Sequence, residues 1–256
     1  MRRNQSMLLL IIAGAIIIGT LALFSNRGQA APINYDTMPP LVQPDLTPLP
    51  TAAPAPALEQ RPAGSSTLFS TTFDEAKAQD VWTAVDLEPL TYGDEPSRWS
   101  VREGRLHQDW AGELRTPVFR QTAAVTGDPA WQDYTLRANV YAMRNDEIGL
   151  LFRVQGNSHY RFRLASSAYP DPRLVLEKVV EGKATPLAQL DHPGYTTNTW
   201  YTLQADIVGA NITISINNEP VIKAQDSSLT AGKVGVYGIA TGDLFYDDVT
   251  VTTVQK

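Results

Sequence analysis

Apolar and polar residues alternate at period two through 133–164, DYTLRANVYAMRNDEIGLLFRVQGNSHYRFRL, and this predicts three consecutive β-strands. In the first, Tyr134, Leu136, Ala138 and Val140 share one face, with Thr135, Arg137, Asn139 and Tyr141 on the other. In the second, Ile148, Leu150, Phe152 and Val154 line one face and Arg153 points away. In the third, Tyr160, Phe162 and Leu164 oppose His159, Arg161 and Arg163. One face builds a core, and the other gathers arginines and aromatics.

Further short runs predict strands over 67–73, 99–101, 105–108, 112–115, 174–180, 185–190, 200–208, 211–216, 219–224, 232–240 and 245–254. Gly104, Gly156-Asn157, Glu181-Gly182, Gly209-Ala210, Asn217-Asn218 and Thr241-Gly242-Asp243 supply turns between them. Residues 74–80 suggest one short helical turn, and Asp146-Glu147 read as turn residues. Many short strands with this punctuation predict an all-β domain, a two-sheet antiparallel jelly-roll sandwich.

Register can be tested in the second hairpin. A three-residue loop, Gly156 to Ser158, sets Phe152 opposite Phe162 and Arg153 opposite Arg161, with faces unmixed. A two-residue loop pairs Phe152 with Arg161 and mixes them. The first register is therefore expected, and its facing arginines require a counter-charge. Glu177 in LVLEKVV is the internal candidate, and a ligand is the other.

The N-terminus is organised differently. Arg2 and Arg3 precede an apolar run over 7–24, MLLLIIAGAIIIGTLALF. The run exceeds the usual signal core of about 7–15 residues and approaches the ~20 needed to span a bilayer. Residues 1–30 are thus a membrane anchor or a cleaved signal peptide, with small residues at Gly28-Gln29-Ala30. Either places the remainder outside the cytoplasm, with the membrane as a partner through this segment. Residues 31–65, rich in Pro, Ala and Thr, are expected to be an unfolded, semi-rigid stalk. The folded domain is expected over 66–254.

Composition excludes several functions. The 256 residues carry a net charge of −6 and no basic run, so nucleic acid is not an expected partner. The chain has no cysteine, which rules out disulfides, thiolate metal sites and a thiol nucleophile. His107, His159 and His192 are scattered and read as solvated surface. No paired carboxylates, nucleophile elbow or phosphate loop is evident, so no catalytic residue is assigned.

The polar sheet face offers guanidinium groups and aromatic rings, the groups that hold sugars. Arg137, Tyr141, Arg153, Arg161, Arg163, Glu177 and Tyr237 fall at non-core parity, and Trp110 in HQDWAGELR is a candidate stacking platform. Trp99 and Trp200 open strands and are expected to pack on the core.

The order WSVREGRLHQ, DYTLRANVYA, IGLLFRVQGNSHYRFRL, LVLEKVVEGKATPL, NTWYTLQADIVGANITISINNEPV, DSSLTAGKVGVYG and FYDDVTV resembles the concanavalin A-like lectin/glucanase jelly rolls. More narrowly it is similar to laminin-G-like and 3-keto-disaccharide-hydrolase-like (DUF1080) domains. The resemblance spans 66–254 and implies sugar binding, glycan cleavage or adhesion. The glucanase Glu-x-Asp-x-x-Glu strand is missing here. A non-catalytic, lectin-like, extracytoplasmic module with a glycan partner is the resulting expectation. A glycoside hydrolase using Glu177 and a protein-binding adhesion module are its rivals. The resemblance also implies a structural calcium where first and last strands meet, with Asp74, Asp247 and Asp248 as its ligands. No other cofactor is expected.

Overall fold

The computed structural model describes residues 55–56, 65–75, 77–90, 95–109, 120–239 and 243–254. The apolar N-terminal run, most of the proline-rich tract, Trp110 and the expected strand 112–115 lie outside the described residues. Among the described residues, no helix is long and apolar enough to cross a membrane.

The chain folds into two antiparallel sheets. The strands are β1 (Thr67–Thr71), β2 (Thr83–Asp86), β3 (Arg98–Arg102), β4 (Arg105–Asp109), β5 (Gln121–Thr126), β6 (Tyr134–Ala142), β7 (Glu147–Gln155) and β8 (Ser158–Ala165). They continue as β9 (Leu174–Val180), β10 (Lys183–Leu190), β11 (Trp200–Val208), β12 (Asn211–Ile216), β13 (Glu219–Gln225), β14 (Lys233–Ile239) and β15 (Leu244–Thr253). The short helical turn expected over 74–80 is a 3-10 turn at Ala78–Val81. An eight-stranded sheet runs β13-β12-β11-β6-β15-β4-β3, with β1 also paired to β15. A seven-stranded sheet runs β10-β9-β8-β7-β14-β5-β2.

Alternation explains the core. Leu136, Ala138 and Val140 of β6 meet Leu150, Phe152, Tyr160 and Phe162 from β7 and β8, all fully buried. Each large side chain contributes about 1.5–3 kcal/mol by leaving water. Tyr246 of β15 crosses this layer. Its hydroxyl accepts the Gly149 N–H at 3.0 Å and faces the carbonyls of Gly149 and Tyr237 at 2.9 and 2.6 Å. The two sheets are thereby tied through the interior.

Two strands were not anticipated. β5 reads QTAAVT, and its small side chains lack the large-apolar alternation that announces a strand, although it sits between β14 and β2. β2, TAVD, is equally short of signal.

The second hairpin corrects the expected register. Gln155 pairs with Ser158, so the turn has two residues, Gly156 and Asn157. Phe152 pairs with Tyr160, Leu151 with Arg161 and Gly149 with Arg163. Faces stay unmixed because β7 carries a β-bulge between Phe152 and Gln155. The same irregularity appears toward β14, between Lys233 and Gly235. Arg153 sits in the bulge at φ 51°. Gly232 makes room for it, since a Cβ there would lie 2.3 Å from the Arg153 carbonyl carbon.

Candidate ligand-binding site

The bulge turns Arg153 out of the polar face. It is 1% exposed, and its guanidinium donates to the carbonyls of Leu229 at 2.8 Å, Gly209 at 2.8 Å and Gln132 at 3.1 Å. Asp133 lies 3.8 Å away as a distant counter-charge. Arg153 is a buried tie between loops, not a surface cation facing Arg161. Arg137 and Tyr141 also leave the expected group. They belong to β6 in the eight-stranded sheet, on the opposite side of the sandwich from β8 and β9. One shared face for all the named residues is therefore not what the fold builds.

Four of them do converge, on the outer face of the seven-stranded sheet. β8 presents Arg161 and Arg163 two residues apart, and Arg161 pairs across to Glu177 on β9. Glu177 Oε1 accepts from Arg161 Nε and Arg163 Nε, each at 2.8 Å, and lies 2.6 Å from Arg161 Nη2. The expected counter-charge thus sits between Arg161 and Arg163 rather than between Arg153 and Arg161. Arg163 Nη1 donates to Glu147 Oε1 at 2.6 Å, and the Tyr237 hydroxyl donates to Glu147 Oε2 at 3.0 Å. Arg161 lies over the Tyr237 ring at 5.4 Å and also donates to Gln121 Oε1. Gly149 lies between Arg163 and Tyr237, and its missing Cβ leaves space that the Phe162 carbonyl and the Tyr237 ring would otherwise contest.

The electrostatics follow from this packing. Burial alone would lower the Arg163 pKa, but Glu147 and Glu177 outweigh it and fix the cation. Burial, reinforced by Glu147, holds the Tyr237 phenol well above its usual range. The Tyr237 ring is fully buried beneath Arg161, so it supports the cluster rather than offering a stacking surface. Arg163 is the most open of the four charged members, its side chain 21% exposed.

Glu147 and Gln121 were missed as members. Glu147 opens β7 rather than lying in a turn, and Gln121 opens the unanticipated β5. His159 is a further correction, since it is buried at the edge of this cluster instead of solvated. Burial, with Arg161 nearby, lowers its pKa to about 4, and Nε2 has no hydrogen-bond partner. Beside it, an open groove of about 420 Å³ runs between β2, β5, β7 and the start of β14.

The outer face of the eight-stranded sheet carries a different set. Trp200, Tyr141, Phe245, His107 and Ser100 pair in one row across β11, β6, β15, β4 and β3. Tyr141 packs on Trp200 at 5.3 Å, and His107 stacks on Phe245 at 4.6 Å. Trp200 thus packs on an outer face and not on the core, whereas Trp99 joins the core. His107 is buried as well, with Nδ1 2.6 Å from Asp109 Oδ1. Burial would raise the Asp109 pKa, but His107, Ser100 and Arg102 bring it below the usual carboxylate range. Arg137 lies in the same sheet, opposite Gln204 and Thr250.

The expected calcium residues come near one another. A second bulge, between Asp247 and Thr250 of β15, puts Asp248 at φ 49°. Burial, with Asp248 and Asp74 adding repulsion, raises the Asp247 pKa to about 6, and burial with Asp74 also raises that of Asp248. Among the described residues, however, no group of three or more His, Asp or Glu side chains is gathered so as to hold a metal ion. Asp74 and Asp248 thus set negative charge beside Asp247.

No known family profile matches the chain, and no curated protein does. Solved structures do resemble it. The carbohydrate binding module CBM66 from Bacillus subtilis superposes with a TM-score of 0.52 at 16% identity, covering 68% of this chain and 96% of its own. A Bacillus subtilis protein of unknown function with a galectin-like fold gives 0.55 at 13% identity, covering 74% and 98%. The Bacillus licheniformis beta-glucanase gives 0.51 at 11% identity, covering 74% and 99%. At these identities the likeness establishes the fold alone, a two-sheet antiparallel jelly-roll sandwich.

Proposed function

We propose that this domain is a non-catalytic carbohydrate-binding module, exported by its N-terminal segment and held outside the cytoplasm on a proline-rich stalk. One observation supports the reading above others: Arg161, Arg163, Glu177, Glu147 and Gln121 form a single interlocked cluster on an outer sheet face beside an open groove. Guanidinium and carboxylate groups fixed by one another are pre-organised donors and acceptors for sugar hydroxyls, so little ordering cost falls on binding. The resemblance of the fold to a binding module, a galectin-like protein and a glucanase is consistent with a glycan ligand but does not select it. Within the proposal we favour the laminin-G-like kinship over the hydrolase one, because Glu147 and Glu177 are both taken up by arginines.

The test uses Arg163→Ala, the most open charged member of the cluster. Affinity electrophoresis against neutral and acidic polysaccharides should show retention of the wild-type domain and its loss in the variant. Arg163 bonds two mostly buried carboxylates, so stability should fall by about 1–3 kcal/mol and retention is compared per folded molecule. Equal retention of both proteins would refute the site.

A further inference from the structure

The groove beside the cluster has a composition that a bare sugar does not explain. Val85, Leu87, Val125, Leu151 and Val154 wall it, with Lys233 among its lining residues. Ala123, Val125, Leu151 and Tyr237 form an apolar cluster of their own, separate from the sandwich interior. The groove adjoins the ionic cluster: its Leu151 pairs directly with Arg161, and Tyr237 belongs both to the apolar cluster behind the groove and to the ionic one. Its volume falls within the ~300–1,000 Å³ of small-molecule pockets.

A second observation points to a ligand. His159, 4% exposed, lines the same groove, and its Nε2 is buried with no hydrogen-bond partner. A buried polar atom without a partner is costly, by about 1–3 kcal/mol. A hydroxyl matches it whichever tautomer the ring adopts, since a hydroxyl both donates and accepts.

From these features, and resting on the glycan-binding reading, we infer that the ligand is an amphipathic glycoconjugate. Its apolar aglycone lies in the groove, a neighbouring hydroxyl bonds His159 Nε2, and the sugar contacts Arg163 and Glu147. An unsubstituted polysaccharide would leave the half-buried Val85, Leu87 and Val154 facing water and the imidazole unmatched.

The experiment uses N-phenyl-1-naphthylamine, whose fluorescence rises in apolar sites, with n-octyl glycosides of several hexoses and 1-octanol as competitors. The probe should brighten with the wild-type domain. At least one octyl glycoside should displace it at concentrations about tenfold below those needed for octanol or the free hexose. Val154→Asp and Val85→Asp, at half-buried groove positions, should abolish brightening while thermal melts stay cooperative. His159→Leu should keep the brightening but remove the advantage of the glycoside over octanol. If polysaccharide retention is intact but the probe does not brighten, or the groove variants leave it unchanged, the inference fails and the glycan-binding reading stands. If the probe binds the groove but no glycoside outcompetes octanol and no polysaccharide is retained, the glycan-binding reading fails, and the inference with it.

Discussion

The two outer faces of the sandwich differ although the inner faces are alike. On the seven-stranded sheet, charged groups interlock and leave an aliphatic groove open beside them. On the eight-stranded sheet, an aromatic row stacks on itself, and Arg105 sits 5.6 Å over the Trp200 ring, covering a surface a sugar would need. Aromatic residues are the usual platform for sugars, yet here they are largely spent on one another. Sheet parity tells which residues leave the core, whereas pairing on the outside decides which of them stay available.

Arg153 provides the severest test of this contrast. Arg153→Met removes the donor to three carbonyls from an almost fully buried site and should cost about 3–5 kcal/mol in urea unfolding. Glycan retention per folded molecule should not change. A milder loss would mean that Arg153 is not the tie described above. Glu177→Gln comes next. It takes the counter-charge from a buried Arg161, so stability should fall by about 3 kcal/mol and glycan retention should be lost.

A pair of variants separates the faces directly. Arg163→Ala should abolish retention on polysaccharide gels, while Trp200→Ala should leave it within about twofold. The reverse pattern would move the binding site to the aromatic row.

The smallest effect concerns Asp247. Its native pKa is raised from 3.8 to about 6, so between those values the folded protein binds more protons than the unfolded chain. Stability from this group is therefore present at low pH and lost as pH rises through about 6. Asp247→Asn should flatten that part of the Tm profile and raise Tm at pH 7. A Tm difference independent of pH would show that Asp247 is not the titrating group.

Much of this was legible from alternation alone. The period-two runs locate β6, β7, β8, β9, β11 and β14, and parity correctly turns Arg161, Arg163, Glu177 and Tyr237 away from the core. Parity fails at Arg153 because a bulge inserts one residue without a local sequence mark. The clue lies elsewhere in the chain, in Gly232, where only a missing Cβ lets the bulge fit. Parity also cannot say which sheet a strand joins, so it groups Arg137 and Tyr141 with residues that lie across the sandwich. The groove walls were hidden for another reason. Beside Asp86 and Gln121, β2 and β5 carry only Thr, Ala and one Val each, and such strands are identified by their partners rather than by their own composition.

Tyr246 has one more consequence. Its hydroxyl, reaching from the far sheet, grips the backbone of Gly149 and Tyr237 directly beneath Arg163 and Arg161. The sheet that carries the ionic cluster is thereby bolted through the middle of the molecule. A cluster anchored in this way should reach a ligand already shaped, so arrival should be governed by diffusion and residence time by the quality of fit.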